Sequence, residues 1–255
     1  MTDPRRCSFS PSDLPICSDD VAGDGCATRQ ELAAIEAVYN GPTVDGESVF
    51  FGFNYGGESD QGGWDSWVVS SERQRARGNP NAQYGFGTEF YKYFVFEDPA
   101  WDYTTYDFLT WREDIARISP VVDATETDLS VFRDSGGKII YWTGWSDLAL
   151  TPLGTIDYYE QLEASDSASR DYARLYMMPG VLHCSGGPGP DQVDWVEAIR
   201  AWVENGEAPE RLIASKLDSL GQATMTRPVC PYPEFAVYDG TGDPSVDSSF
   251  SCAVR

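Results

Sequence analysis

The sequence has a single histidine, His183, only three lysines, and no hydrophobic run of membrane-spanning length. One imidazole and six scattered cysteines do not form the ligand cluster of a zinc site, which argues against zinc. A transmembrane helix needs about 20 consecutive apolar residues, so we do not expect the chain to span a membrane. The opening sequence MTDPRRCSFS also lacks the apolar stretch of a signal peptide.

Basic residues are scarce as a class. The chain has 41 acidic and 18 basic residues, which gives a formal net charge of −23. Such a field repels the phosphates of nucleic acids and anionic membrane surfaces. We therefore expect neither nucleic acid nor membrane as a partner, and we attribute the acidity to solubility. The oligomeric state is not indicated by the sequence.

Beyond residue 120 the chain alternates between strand-like and helix-like segments. The runs GGKIIYWTGWSD (136–147) and RLYMMPGVLHC (174–184) predict buried strands that end in polar loops. A helical segment, TIDYYEQLEAS, lies between them, and another, DQVDWVEAIRAWVENGEAP, follows them. Strand, helix, strand and helix in this order predict an α/β fold with a parallel sheet.

The last helical segment carries an apolar stripe. Val196, Ile199 and Val203 recur at the i, i+3 and i+7 positions, and Trp195 and Trp202 flank the same stripe. Such a stripe is typical of an amphipathic helix that faces a core, and Gly206 and Pro209 mark its end.

The first 120 residues differ in character. Thr28 and Glu31 have the spacing of a capping box and predict a short helix that ends at Asn40-Gly41. Residues 43–120 are rich in glycine and aromatic residues but show no clear period, which favours an irregular, aromatic-lined insertion.

Asp147 follows the first predicted strand, and His183 follows the second. Functional groups gather at the carboxyl ends of parallel strands, so we expect this carboxylate and imidazole to lie within hydrogen-bond reach. Acid and then histidine is also the chain order of the last two triad members in an α/β-hydrolase. The alternative is structural: an Asp at a strand end is commonly a turn former or cap, and a lone His is commonly a surface or core residue.

The segment LHCSGGPGP (182–190) raises a second question, because it holds Ser185 close to His183. It is either a nucleophile loop around Ser185 or a base loop around His183. The pattern alone leaves both hypotheses open.

Several blocks of the chain resemble the tannase and feruloyl esterase family. They include DPRRCSFSPSDLPICSDDVAGDGC, GGKIIYWTGWSDLALTPLGTIDYYEQL, MPGVLHCSGGPGPDQVDWVEAIRAWVENGEAPERLIAS and TRPVCPYPEFAVYDGTGD. The resemblance implies a secreted or periplasmic α/β-hydrolase that cleaves esters of aromatic acids with a Ser-His-Asp triad. It implies a partial α/β-hydrolase sheet in residues 121–255 and part of an irregular, aromatic-rich lid in residues 1–120.

The resemblance makes His183 the general base and Asp147 its orienting acid. Ser185 would be a decoy, since it lies outside the strand-turn-helix elbow that presents a nucleophile. The family's elbow, Gly-Cys-Ser-x-Gly-Gly, does not occur in these 255 residues, nor does any G-x-S-x-G. The expectation is therefore a C-terminal portion of such an esterase, inactive alone because its nucleophile is not in this chain. The alternative is a non-catalytic product or a lid-derived module that binds aromatic esters.

The resemblance also assigns the cysteines. It implies the disulfides Cys17–Cys26 and Cys230–Cys252. The family's partners of Cys7 and Cys184 are missing here, so both are expected to be unpaired.

We expect no cofactor or metal in this chain, although the resemblance implies calcium for the full-length family. The family's calcium loop precedes the DPRRC block, where only Met1 and Thr2 stand. Asp19, Asp20 and Asp24 could be proposed as a calcium loop, but they lack the ligand spacing and terminal Glu of an EF-hand. Aromatic residues of the lid could hold an aromatic acyl group, although core packing is the default; they are Trp64, Trp67, Tyr84, Phe90, Tyr93 and Trp101.

Overall fold

The computed structural model describes residues 3–70, 75–76, 78 and 80–254 of the chain. The α-helices are α1 Arg29–Asn40, α2 Trp64–Trp67, α3 Ala82–Phe90, α4 Trp111–Ile115, α5 Ser119–Val122, α6 Ser130–Asp134, α7 Pro152–Ser165 and α8 Trp195–Asn205. The strands are β1 Thr43–Val44, β2 Glu47–Ser48, β3 Ile139–Gly144, β4 Ala173–Met178, β5 Leu212–Leu217, β6 Ala223–Val229, β7 Phe235–Tyr238 and β8 Phe250–Ala253.

Strands β3 and β4 form the parallel pair that the sequence predicts, with α7 as the connection between them. The pairs β1–β2, β5–β6 and β7–β8 are antiparallel. The α/β prediction is confirmed. The boundary at residue 120 stays a prediction.

Strand β4 is buried on both faces, as a strand covered by layers on either side must be. Leu175 packs in one cluster with Ile156, Tyr159 and Leu162 of α7. Tyr176 packs in the other, which contains Ala214 of β5. The prediction of a buried strand is wrong for β3, whose residues are half-buried except for Gly144.

The ends of β3 and β4 approach closely at Gly144. A Cβ atom at this position would lie 2.1 Å from the carbonyl oxygen of Val181, so only glycine fits there without a backbone shift. The next residues continue the pairing, since the Trp145 N–H donates to the Met178 carbonyl at 2.9 Å and the Ser146 N–H to the Val181 carbonyl at 3.0 Å. This contact brings the loops after the two strands together.

Helix α1 has the predicted cap. Thr28 accepts a hydrogen bond from the Glu31 N–H, and the Glu31 carboxylate accepts one from the Thr28 N–H. Gly41 ends the helix with a φ of 81°. Residues 43–120 are less irregular than predicted, because α3 spans Ala82–Phe90 and continues into a π-helical segment, Tyr91–Val95.

Helix α8 buries a different face from the predicted one. Val196 is 76% exposed and Val203 is 57% exposed, whereas Ala198 and Trp202 are buried. Trp202 lies 5.2 Å from the Arg174 guanidinium, measured from the ring centroid. The predicted Val196–Val203 stripe is therefore wrong, and the buried face lies on the neighbouring Trp195–Trp202 side, with Trp195 half-buried.

The structure has two disulfides, Cys17–Cys26 in the N-terminal part of the chain and Cys230–Cys252 in the C-terminal part. Cys7 is a half-buried free thiol, and Cys184 is an exposed one. Among the described helices, none is both long and apolar enough to cross a membrane.

Candidate active site

The loops after β3 and β4 bring Asp147 and His183 together. The His183 Nδ1 atom lies 2.9 Å from Asp147 Oδ2. The Asp147 side chain is 7% exposed, whereas the His183 side chain is 33% exposed. The carboxylate is thus shielded from water while the imidazole remains accessible.

Residues 147–150, which we call the acid turn, fix the Asp147 carboxylate. Its Oδ1 atom accepts the N–H groups of Ala149 at 2.8 Å and Leu150 at 3.0 Å. This leaves Oδ2 for His183. With Nδ1–H directed at the carboxylate, Nε2 is the imidazole nitrogen that can accept a proton from a reacting group.

Residues 180–189, which we call the histidine loop, close on themselves through main-chain contacts. The Gly189 N–H donates to the Gly180 carbonyl at 2.9 Å, and the Gly186 N–H donates to the Asp191 carboxylate at 2.8 Å. Gly187 adopts a φ of 78°. The position of His183 is therefore fixed by hydrogen bonds to the loop's backbone groups, one from within the loop and one to the Asp191 side chain.

Asp191 and Lys216 brace this loop from the side of β5. Lys216 Nζ donates to the Gly187 carbonyl at 2.7 Å and lies 3.6 Å from Asp191 Oδ1. Burial opposes ionisation of Asp191, but the Gly186 N–H and the Lys216 ammonium outweigh it and hold the pKa of that carboxyl below its ordinary value. Asp191 is therefore an anion in the folded chain at neutral pH.

An aromatic wall stands beside the imidazole. The centroid of the Trp67 ring lies 5.3 Å from that of His183, with the two planes at 71°. Phe86 of α3 stacks on Trp67 at 6.1 Å and is itself 71% exposed. Phe86 also lines an open, mostly apolar groove of about 1020 Å³ along α3. A flat apolar group could lie here next to His183.

The sequence prediction for the lid aromatics is only partly matched by this wall. Within the described part of the chain, Trp67 is the one of those six rings in contact with His183. Tyr84, Phe90 and Tyr93 line the groove along α3. Trp64 instead packs on Tyr39, and Trp101 stacks on Tyr91. Phe86 was missed, although its place in the aromatic, glycine-rich run QYGFGTEF was a usable signal.

Ser185 is exposed, and its N–H donates to the carbonyl of His183 at 2.8 Å. No hydrogen bond joins its hydroxyl to the imidazole among the residues that the structure covers. Cys184, between the two, has a φ of 63°. In this conformation Ser185 is not paired with the base.

The described residues offer no group of three or more His, Cys, Asp or Glu side chains arranged for a metal ion. Asp20 of the Cys17–Cys26 loop is engaged otherwise, since its carboxylate accepts the Arg29 N–H at 2.7 Å. Met1 and Thr2 lie outside the described residues. The expectation that this chain holds no metal stays a prediction.

Comparisons with known proteins show the family of the chain. The family model described as "Tannase and feruloyl esterase" matches residues 1–253. Mono(2-hydroxyethyl) terephthalate hydrolase of Piscinibacter sakaiensis is 48% identical over 132 residues, which are 51% of this chain and 22% of that protein. An uncharacterized esterase of Xanthomonas campestris is 32% identical over 99% of this chain and 50% of its own length.

A solved structure shares the fold. The crystal structure of feruloyl esterase B from Aspergillus oryzae matches 99% of this chain and 51% of its own, with a TM-score of 0.83 and 21% identity. The chain thus spans about half the length of relatives that it matches from end to end.

Proposed function

Since the chain belongs to the tannase and feruloyl esterase family, we propose that it carries the base and the acid of a Ser-His-Asp triad that hydrolyses esters of aromatic acids. The observation that carries the proposal is the 2.9 Å contact between His183 Nδ1 and the buried Asp147 carboxylate. Burial and the two acid-turn N–H groups fix the carboxylate, and the carboxylate in turn orients the imidazole.

In this mechanism His183 Nε2 removes the proton from a serine hydroxyl as the serine oxygen attacks the ester carbonyl carbon. Asp147 stabilises the resulting imidazolium. The imidazolium then gives its proton to the departing alcohol oxygen, which leaves an acyl-enzyme. A water molecule, deprotonated by the same nitrogen, releases the acid and regenerates the serine.

We assign the nucleophilic serine to a polypeptide segment other than these 255 residues. No G-x-S-x-G or Gly-Cys-Ser-x-Gly-Gly elbow occurs in them, and Ser185 is unpaired with His183 in the structure. The exposed, free Cys184 beside the base could form a disulfide with a cysteine of that elbow. Such a bond would hold the nucleophile near the base.

We place the aromatic acyl group of the substrate on the wall of Trp67 and Phe86. This wall borders His183, and an aromatic ring is complementary to it in shape and polarity. The similarity to a hydrolase of a terephthalate ester, itself an aromatic acid ester, supports the same substrate class. The two disulfides support a site of action in an oxidising compartment, outside the cell or in the periplasm.

The test compares hydrolysis of methyl ferulate and methyl gallate by three proteins. The 255-residue chain and its Ser185→Ala variant should show no turnover above background, because neither presents a nucleophile to His183. A longer polypeptide that adds a segment with the family's elbow should be active. Turnover by the chain alone that disappears in Ser185→Ala would overturn the assignment.

In the active longer polypeptide, Asp147→Asn should lower kcat by about 10⁴, because the amide stabilises neither the correct tautomer nor the imidazolium. A matched substitution away from the dyad, Asp157→Asn on the exposed face of α7, should leave kcat unchanged. An Asp147→Asn variant with normal kcat would exclude the dyad as the source of catalysis.

A second candidate function is binding without turnover, favoured by the open groove along α3 and the exposed Phe86. If the chain acts in this way, ferulate esters should quench its tryptophan fluorescence, and the Phe86→Ala change should abolish the quenching. Activity of the longer polypeptide would then still be absent.

A further inference from the structure

A glutamine of the aromatic helix holds the acid turn from outside. Gln83, in the first turn of α3, donates from Nε2 to the carbonyl oxygens of Leu148 at 3.2 Å and Ala149 at 2.7 Å. A carboxamide nitrogen has two hydrogens, which is enough for both bonds. Gln83 is half-buried, which shields these bonds in part from competing water.

The two carbonyls belong to the same peptide groups that bind Asp147. The carbonyl carbon of Leu148 is bonded to the nitrogen of Ala149, and that of Ala149 to the nitrogen of Leu150. Each peptide group therefore accepts from Gln83 at its oxygen and donates to Asp147 Oδ1 at its nitrogen. Hydrogen bonds connected in this way polarise and strengthen each other. We call this arrangement the peptide clamp.

The same helix is tied to the aromatic wall. Asn81, the N-cap of α3, donates from Nδ2 to the Val68 carbonyl at 2.8 Å, directly after Trp67. Phe86, one turn beyond Gln83, stacks on Trp67. Helix α3 is therefore linked to His183 through Trp67 and to Asp147 through the peptide groups of the acid turn.

We propose that Gln83 is a positioning residue for the Asp147–His183 dyad. Its carboxamide keeps the acid turn closed around the Asp147 carboxylate and sets the distance between the aromatic wall and His183. The inference rests on the proposed function only for the statement that the dyad is catalytic. The positioning itself is a property of the folded chain.

The experiment introduces Gln83→Leu into the 255-residue chain and follows the variant by NMR. Loss of the clamp should make the Ala149 and Leu150 amide hydrogens exchange about tenfold faster, the effect of one lost hydrogen bond. The ring signals of His183 should move as Trp67 changes place. The histidine ring signals can be assigned to His183 without mutation, because the chain has one histidine. Amides of β4 should exchange as before.

Two further variants make the test specific. The Gln83→Glu variant keeps nearly the same side-chain shape, but an ionised carboxylate has no hydrogen to donate. It should therefore speed up amide exchange as Gln83→Leu does. It also keeps the test valid if the leucine substitution disturbs folding. Gln161→Leu is the control, since that amide, on the exposed side of α7, has Asp157 as its one acceptor among the described residues. Wild-type exchange and unchanged His183 signals in a folded Gln83 variant would overturn the proposal.

The amide-exchange and histidine-signal measurements do not require the chain to hydrolyse an ester. Failure of the esterase assay would reject the proposed function and leave the NMR result standing. An active longer polypeptide with unchanged exchange in the Gln83 variants would reject the clamp alone.

Discussion

Gly187 shows how single residues determine where the histidine loop can lie. A Cβ atom on Gly187 would stand 2.3 Å from the Gly180 carbonyl oxygen, and the φ of 78° is unfavourable for any other L-residue. The loop can return toward the end of β4 only because no side chain occupies this place. His183 is carried on the segment closed by this contact.

We therefore expect Gly187→Ala to lower the free energy of unfolding by more than the about 1 to 2 kcal/mol of a left-handed alanine. Gly221 is the matched control, since its φ is 77° but a Cβ atom there would meet nothing within 4 Å. Urea unfolding of both variants measures the difference. Equal losses would mean that the loop relaxes around the added methyl group.

At this scale the sequence predicted the dyad better than its surroundings. Asp147 and His183 were recognisable because each follows a strand, and parallel strands end at one edge of a sheet. Gln83 was not recognisable, because its partners are main-chain groups 65 and 66 residues away and leave no mark on side-chain identity. Phe86 differs from Gln83, because its aromatic, glycine-rich run QYGFGTEF marked it as a candidate, but the run did not indicate which ring it would contact.

At the scale of elements, helix α8 shows how two apolar stripes compete for one buried face. Trp202 offers more surface than Val196 or Val203, and it packs beside Arg174 and near Lys138. The larger apolar area and the two cations favour burial of the tryptophan side. The period of the sequence indicated a helix correctly, but the choice of face depended on partners that are distant in the chain.

Truncation at the buried position should therefore be costly and truncation at the predicted stripe should not. Trp202→Ala is expected to cost about 3 to 5 kcal/mol of unfolding free energy. Val203→Ala, on the 57% exposed side chain, should stay within about 0.5 kcal/mol. Denaturant unfolding measures both losses. A larger loss for Val203→Ala than for Trp202→Ala would mean that the Val196–Val203 stripe is the buried face.

The histidine loop depends on pH through Asp191. Because its folded pKa lies below the ordinary value, the stability it contributes is present above its unfolded pKa of about 4 and is lost as pH falls through the folded pKa. Asp191→Asn, which removes the charge, should be less stable than the wild type at neutral pH. The gap should shrink as the pH falls below about 4. A gap that is independent of pH in urea titrations would exclude this role.

At the scale of the whole molecule, the two disulfides close loops of different length. The bond Cys230–Cys252 has a sequence separation of 22, and the bond Cys17–Cys26 has one of 9. Restricting the longer loop removes more freedom from the unfolded chain, by about 0.8 kcal/mol in the loop-closure model. Cys230 also follows β6 directly and joins it to β8.

Replacing both cysteines of a pair by alanine should therefore cost more for Cys230–Cys252 than for Cys17–Cys26. Thermal unfolding of the two double variants gives the order. The reverse order would mean that the Cys17–Cys26 loop packs on the rest of the molecule more strongly than its exposed residues indicate.

The peptide clamp also affects which substitutions the acid turn tolerates during evolution. Gln83 and Asp147 form hydrogen bonds to main-chain atoms of residues 148–150, so the clamp does not depend on the side chains of those residues. Leu150, which is 68% exposed, is free to drift to almost any residue, while Leu148 is restrained by its burial alone. Proline is the exception at positions 149 and 150, because it removes the N–H that reaches Asp147. Distant relatives can thus keep the same clamp with little resemblance in the turn itself.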